Sequence, residues 1–467
     1  MSIFQPRRRD VIAAAGAAFG SRLLSVGALD SSASIAPGPH HAPRAKRIVQ
    51  LFMAGAPSSL DLFDDKPGLR KYDGKLVPAE LLQGQRFAFL KGVPKLLASP
   101  YSFRNYGESG AEISELLPHT AAIADRLAFV KSVYTNPFNH GPAQVFANTG
   151  HHLVGRPSLG SWLLYGLGAD TSNLPGYCVL VSGKIDPGAG SACWANGFLP
   201  STMQGVELRT RGDLVPCVSD PKSMDRMARK RGIDLIAALN GQRHDQLGDP
   251  EIAARTAAYK LAYRMQDSVP ELADLKDEPE HVHRMYGSQP GKRSFANNCL
   301  LARRLLERGV RHVQVIHRGW DHHGSNKSDD LMHGLPNMCQ QTDQAAAALV
   351  LDLAQRGMLD DTLVVWGGEF GRTPMREVRS TAVLGRDHNP RAFTMWFAGG
   401  GIKPGLTIGK TDDLGYTVAE DPAHLHDVHA TVLHLMGIDH ERLTYRFQGR
   451  DYRLTDVHGK VVRKLLA

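Results

Sequence analysis

No Cys-x-x-Cys pair occurs among the five cysteines, Cys178, Cys193, Cys217, Cys299 and Cys339, which stand far apart. Their spacing excludes zinc-ribbon and haem-attachment signatures, and an odd count excludes complete internal pairing. Cys178 and Cys193 could pair in an oxidising compartment; buried apolar thiols are the simpler reading. The glycine-rich run Gly188 to Gly197 is followed by neither a Walker lysine nor a dinucleotide fingerprint, so nucleotide binding has no motif. Aromatic residues make up only 7% of the chain, and no basic stripe interleaves with them. A formal charge of +8 therefore gives no nucleic-acid footprint, although it suits anionic substrates. Nor is any apolar run clean enough to span a membrane, because the best one, roughly 19 residues near the N-terminus, is rich in Ala and Gly and broken by Arg22.

What is present is an ordinary globular composition, 42% hydrophobic and 22% charged, in 467 residues. That length holds two or three domains, or one α/β domain with insertions. Residues 1–36 read as an export signal. Arg7-Arg-Arg9 precedes a small-residue apolar run, and Ser34-Ile-Ala36 is a candidate cleavage site. Twin arginines before a weakly hydrophobic segment imply export by the twin-arginine translocase to the periplasm or beyond. Residues 37–45 read as a linker and 46–467 as the mature domain, with an insertion at about 157–285 that shapes substrate access.

Within that domain, apolar runs alternate with helical patterns. Arg47 to Met53 is a strand leading to Ala54-Gly-Ala-Pro-Ser-Ser-Leu-Asp61. A helix is expected at about Ile113 to Asp125, then strand Leu127 to Val130, then His140-Gly-Pro142 opening another helix. Later come helix Asn298 to Arg308, strand Val310 to Ile316, Gly319-Trp-Asp-His-His-Gly324, and a helix from about Leu335 to Arg356. Strand Leu363 to Trp366 delivers Gly-Gly-Glu369 and Arg372, followed by Asp387-His388 and strand Phe393 to Phe397. Such alternation implies a mostly parallel sheet with helices on both faces. Loops beyond its carboxyl edge are where ligands bind. Twenty-one histidines, many beside Asp, raise the odds of metal.

Taken together, these loops, with Asn139-His-Gly-Pro142, Gly385-Arg-Asp-His-Asn-Pro390, His426-Asp-Val-His-Ala-Thr431 and the tail Leu443 to Asp451, resemble domain of unknown function 1501. That group is a sulfatase-like family of the alkaline-phosphatase superfamily, and the likeness covers nearly all of the mature chain. The resemblance implies an alkaline-phosphatase-like α/β sheet, two divalent metals at its carboxyl edge, and transfer of a phosphoryl or sulfuryl group. Asp61 is similar in place to the first-strand carboxylate, Asp321 and His323 to the Asp and His of one metal site, Glu369 to a strand-end Asp, and His388 to the last metal histidine. Asp387 joins them as a candidate ligand. Two departures stand out. His140 occupies the position of the sulfatase Cys or Ser nucleophile, and Phe370 follows Glu369 where the superfamily has His.

Imidazole and carboxylate donors suit zinc, manganese or iron. His140 is read as a ligand or general base, and Arg372 as a bidentate anion binder. An ion pair with Glu369 or Asp387 is the plain alternative for Arg372. His426, Asp427 and His429 read as packing or capping residues first. The function expected is an exported metal-dependent hydrolase of a small anionic ester or of a sulfated or phosphorylated glycan, with no nucleic-acid partner. The alternative is a non-catalytic, metal-stabilised binding protein on the same fold.

Overall fold

The run Arg47-Ile-Val-Gln-Leu-Phe-Met-Ala54 has apolar side chains at odd and even positions alike, which suits a strand buried on both faces. In the computed structural model, which describes residues 37–82, 84, 87–90, 92–184, 188–209, 214 and 225–467, it is the central strand β1 (Arg47–Ala54). Its flanking sheet strands are β2 (Ala128–Tyr134), β3 (Tyr177–Gly183), β4 (Val206–Leu208), β5 (His312–Arg318) and β6 (Thr362–Gly367). A two-stranded hairpin, β7 (Gly371–Glu377) with β8 (Gly385–Asn389), lies apart from the sheet. Strands β9 (Phe393–Ala398), β10 (Leu406–Ile408) and β11 (Ala423–His424) then return to it. The sheet order is β10-β2-β9-β6-β1-β5-β3-β4, with β11 beside β2. Every pairing in it is parallel except those of β9, which is antiparallel to both neighbours.

Alternation along β1 sorts the core. Val49, Leu51 and Met53 face one layer, with helices α6 (Phe295–Glu307) and α7 (Gly334–Gln355) packed on it. Ile48, Phe52 and Ala54 face the other layer, with α2 (His140–Thr149), α3 (Leu159–Leu167) and α8 (Leu425–Leu435). Before them in the chain, α1 (Ser59–Leu62) follows the β1 loop; between them, α4 (Arg226–Leu247) and α5 (Pro250–Ala273) form a paired excursion. The architecture is the expected mostly parallel α/β sheet with helices on both faces.

Two local expectations change. Residues 113–125 hold strand Ala111–Ser114, a short helix Pro118–Ala122 and a 3₁₀ turn rather than one helix, because Pro118 can begin a helix but not continue one. β3 and β4, expected inside an insertion at 157–285, belong to the central sheet; β3 pairs with β5 from Tyr177↔His312 to Gly183↔Arg318. Only α4 and α5 leave the sheet, and α4 has no buried residue. Cys178 and Cys193 are both free and buried. Residues 1–36, the expected export signal, lie outside the described residues. No helix among the described residues is long and apolar enough to cross a membrane.

Candidate metal centre

Parallel register brings the carboxyl ends of β1, β5 and β6 side by side, with Ala54 opposite Arg318 and Phe52 opposite Gly367. The antiparallel β9 begins at that same edge, so the β8 segment that precedes it also arrives there. Close loop contacts fix the arrangement. Gly55 has φ +112°, and a Cβ there would stand 2.7 Å from the Asp321 backbone nitrogen. A Cβ on Gly385 would stand 2.0 Å from the His323 carbonyl carbon. Glycine at both positions lets the β1 loop and the hairpin close on the loop carrying Asp321 and His323.

Four side chains then meet. His140, at the first turn of α2, Asp321, His323 and His388 present donor atoms within 4.8 Å of one another. The His323 and His388 Nε2 atoms lie 3.0 Å apart. Asp321 Oδ1 lies 2.8 Å from His323 Nε2, 3.0 Å from His140 Nε2 and 3.7 Å from His388 Nε2. Bonds of 2.0–2.1 Å in a tetrahedral centre put ligand atoms about 3.3 Å apart, which these spacings bracket.

The opposite nitrogens orient the rings, and Arg372 Nη1 also reaches His323 Nε2 at 3.4 Å. His140 Nδ1 donates to Glu369 Oε1 at 2.7 Å, His323 Nδ1 to Glu377 Oε2, and His388 Nδ1 to the Phe138 carbonyl at 2.7 Å. Each imidazole thus spends its Nδ1 proton outward and turns Nε2 inward, as carboxylate-supported metal histidines do. His140 Nε2 is buried and faces Asp321 Oδ1 at 3.0 Å. Two inward lone pairs 3.0 Å apart repel unless a proton or a cation lies between them, so the residues present fit a divalent metal.

Electrostatics agree. Burial, only partly opposed by Asp321, pushes His388 down to about 3, so it stays neutral. Burial disfavours the Asp321 charge, but Arg372 and the surrounding imidazoles outweigh it and hold that carboxyl far below the usual carboxylate range. For His140, burial is likewise outweighed, by Asp321 and Glu369, and its pKa rises to about 9. Arg372 donates to Asp321 Oδ1 at 2.6 Å. Its other N–H groups are spent on the carbonyls of Gly55, Ala56 and Arg386, so the buried guanidinium is pinned. Asp321, 41% exposed, is where the centre meets solvent.

Not every expected residue joins the group. Asp61 is fully buried and paired with Arg386, which donates Nε at 2.8 Å and Nη2 at 3.1 Å; Ser58 Oγ adds a bond at 2.5 Å. Glu369 sits behind His140, accepting from Gly55 N–H, His140 Nδ1 and Gln144 Nε2 on one oxygen, while Oε2 is buried and unpartnered. Asp387 accepts the backbone N–H groups of Phe89, Leu90 and His388. It also shares a second, three-residue group with His323 and Glu377, whose donor atoms lie within 4.8 Å. Arg372 pairs with Asp321, not with Glu369 or Asp387. Phe370 is fully buried and packs its ring on His140 and His388, 5.0 and 4.6 Å between centroids. His426 and His429 are spent on the Gly150 and Ala147 carbonyls, and Asp427 completes the α8 capping box with His424.

Sequence reasoning passed over Glu377 and Phe89. A hairpin reading of Gly371 to Asn389 would have flagged Glu377, since β7 and β8 pair His388 with Arg372 and Gly385 with Glu377. Phe89 stands in a loop without a motif, yet its ring meets His323 and His388 edge-on at 5.1 and 5.4 Å.

Solved structures similar to the chain are distant. A sulfatase from Pseudoalteromonas sp. shares 12% identity over 85% of this chain and 69% of its own, with a TM-score of 0.36. An alkaline phosphatase from the Antarctic bacterium TAB5 shares 9% over 84% and 98%, with a TM-score of 0.35. A phosphonate monoester hydrolase from Silicibacter pomeroyi shares 15% over 75% and 71%, with a TM-score of 0.29. No curated protein matches the chain in sequence. Residues 45–466 match the family described as protein of unknown function DUF1501, and the chain belongs to that family.

Proposed function

We propose that the chain is a metal-dependent hydrolase of phosphate or sulfate esters, with one divalent cation held by Asp321, His323 and His388. The observation that carries this reading is the convergence of inward Nε2 atoms on the Asp321 carboxylate, each imidazole oriented by a second partner. Three protein donors leave a coordination position open, the pattern of catalytic rather than structural sites. Zinc, manganese or iron bound there would supply Lewis acidity toward an ester oxygen and acidify water.

The chain's own residues do the rest. The amino end of α2, where the Asn139 side chain makes no cap, favours an anionic group beside His140. Asp321 and Glu369 together favour a proton on His140, whose Nδ1 donates to Glu369. Water forms the new bond to phosphorus or sulfur, the ester oxygen leaves with the His140 proton, and the water's proton returns to His140. This assignment keeps His140 as a proton carrier and requires no side-chain nucleophile. Export to the periplasm, read from Arg7-Arg-Arg9 and the run after it, belongs to the same proposal. Cell fractionation with the double Arg8→Lys, Arg9→Lys variant tests it.

The function is tested by screening aryl phosphates, sulfates and phosphonates with protein loaded with each metal, beside His140→Gln. Turnover of at least one class, falling about 10²–10⁴-fold in the variant while bound metal is kept, supports the reading. Absence of turnover with every ester and metal, or equal rates in the variant, refutes it.

A further inference from the structure

Next to the centre a cleft of about 630 Å³ opens between residues 89–90 and 93–95 on one side and the end of β7 on the other. Its walls include Phe89, Lys95, Arg376, Glu377, Val378 and Arg379. The two sites share a partition. Phe89 lies edge-on to His323 and His388 on one side, and the Arg379 guanidinium stacks 4.5 Å over its ring on the other. Asp387 ties the partition to the metal loop, since one oxygen accepts the Phe89 and Leu90 N–H groups and the other accepts that of His388. Glu377 spans the same wall, taking His323 Nδ1 on one oxygen and Arg379 Nε at 2.5 Å on the other.

Charge in the cleft is unbalanced. Glu377, its one carboxylate, is committed to His323 and Arg379. Lys95 is exposed, and among the described residues neither it nor Arg376 has a carboxylate partner. Arg376 Nε is buried with no hydrogen-bond partner, although Arg376 Nη2 reaches the Thr381 carbonyl at 3.4 Å. Two cations that line one cleft without a carboxylate partner give it a positive field that suits an anion.

We infer that this cleft is a second anion subsite. The substrate of the neighbouring centre is an ester with a second sulfate, phosphate or carboxylate group, which Lys95 and Arg376 hold while the reacting group sits at the centre formed by Asp321, His323 and His388. This inference rests on the hydrolase reading for its substrate, but the subsite itself is read by binding. Calorimetry would compare butane-1-sulfonate with butane-1,4-disulfonate, which are not hydrolysed. Both metal-loaded and chelator-stripped protein are titrated, in the wild type, Lys95→Gln and Lys95→Gln/Arg376→Gln.

The wild type is expected to prefer the disulfonate by about tenfold, and the preference falls to roughly threefold or less in Lys95→Gln. The Lys95 side chain is exposed, so that variant keeps its fold even if the double variant does not. Equal affinity for the two sulfonates in the wild type, or an unchanged preference in Lys95→Gln, overturns the inference. Because the readout is binding, absence of ester turnover would sink the hydrolase reading and leave a measured disulfonate preference standing. Turnover without that preference would sink the subsite alone.

Discussion

Replacing Asp61 by Asn should unfold the protein more readily without emptying its metal centre. Asp61 and Arg386 are both fully buried, and the carboxylate takes two of the guanidinium's donors, Nε at 2.8 Å and Nη2 at 3.1 Å. Nη1 is satisfied elsewhere, by the Leu97 and Thr373 carbonyls. In the variant a permanent cation stays buried with its counter-charge gone. Breaking a buried pair from one side costs about 3–5 kcal/mol, most of it the penalty of the stranded charge. With a urea slope of about 3 kcal/mol/M, the midpoint falls by roughly 1 to 1.7 M. Because the penalty belongs to the stranded charge, Asp61→Leu combined with Arg386→Met should recover most of the loss, which a double-mutant cycle reads directly. Bound metal, measured on the folded single variant, stays at the wild-type level because Asp61 lies outside the donor group. A wild-type urea midpoint together with lost metal would refute this reasoning and return Asp61 to the ligand set.

Two further outcomes follow from the same structure. Glu377→Gln weakens the orientation of His323, so metal affinity, measured by competition with a chromogenic chelator, should drop about 10–100-fold; unchanged affinity would show that Glu377 does not position the ligand. His312 is fully buried, stacked 4.5 Å from the Tyr177 ring, and burial pushes its pKa down to about 3. Above its ordinary value of about 6.5 it costs nothing. Below that pH the unfolded chain takes up a proton that the folded chain refuses, so stability falls by about 1.4 kcal/mol per pH unit, or about 2 kcal/mol at pH 5. His312→Phe should remove that loss from urea midpoints compared at pH 7 and pH 5, and an unchanged pH dependence would contradict it.

The sheet was legible because its strands are apolar on both faces. Arg47 to Met53, Leu363 to Trp366 and Phe393 to Phe397 needed only their ends extended to reach β1, β6 and β9. β3 was placed in an insertion, since its partner β5 lies more than a hundred residues away and no local pattern records that pairing. Motif and strand position singled out His140, Asp321, His323, Arg372 and His388, which the structure brings together. They did not assign the carboxylates. Asp61, Glu369 and Asp387 all stand in loops at the correct edge, yet one neutralises Arg386, one orients His140 and one holds the Phe89 loop. Which carboxylate faces the centre is decided by the β7–β8 register and by the close loop contacts at Gly55 and Gly385, neither of which has a sequence period.

A metal held by Asp321, His323 and His388 is read out by elemental analysis. The protein would be purified without a histidine tag, beside Asp321→Ala, His388→Ala and His140→Ala. About one equivalent of zinc, manganese or iron is predicted in the wild type and in His140→Ala, and its loss in the other two variants. Wild-type protein that is folded and free of metal after incubation with each cation, or Asp321→Ala protein that holds as much metal as the wild type, would contradict it.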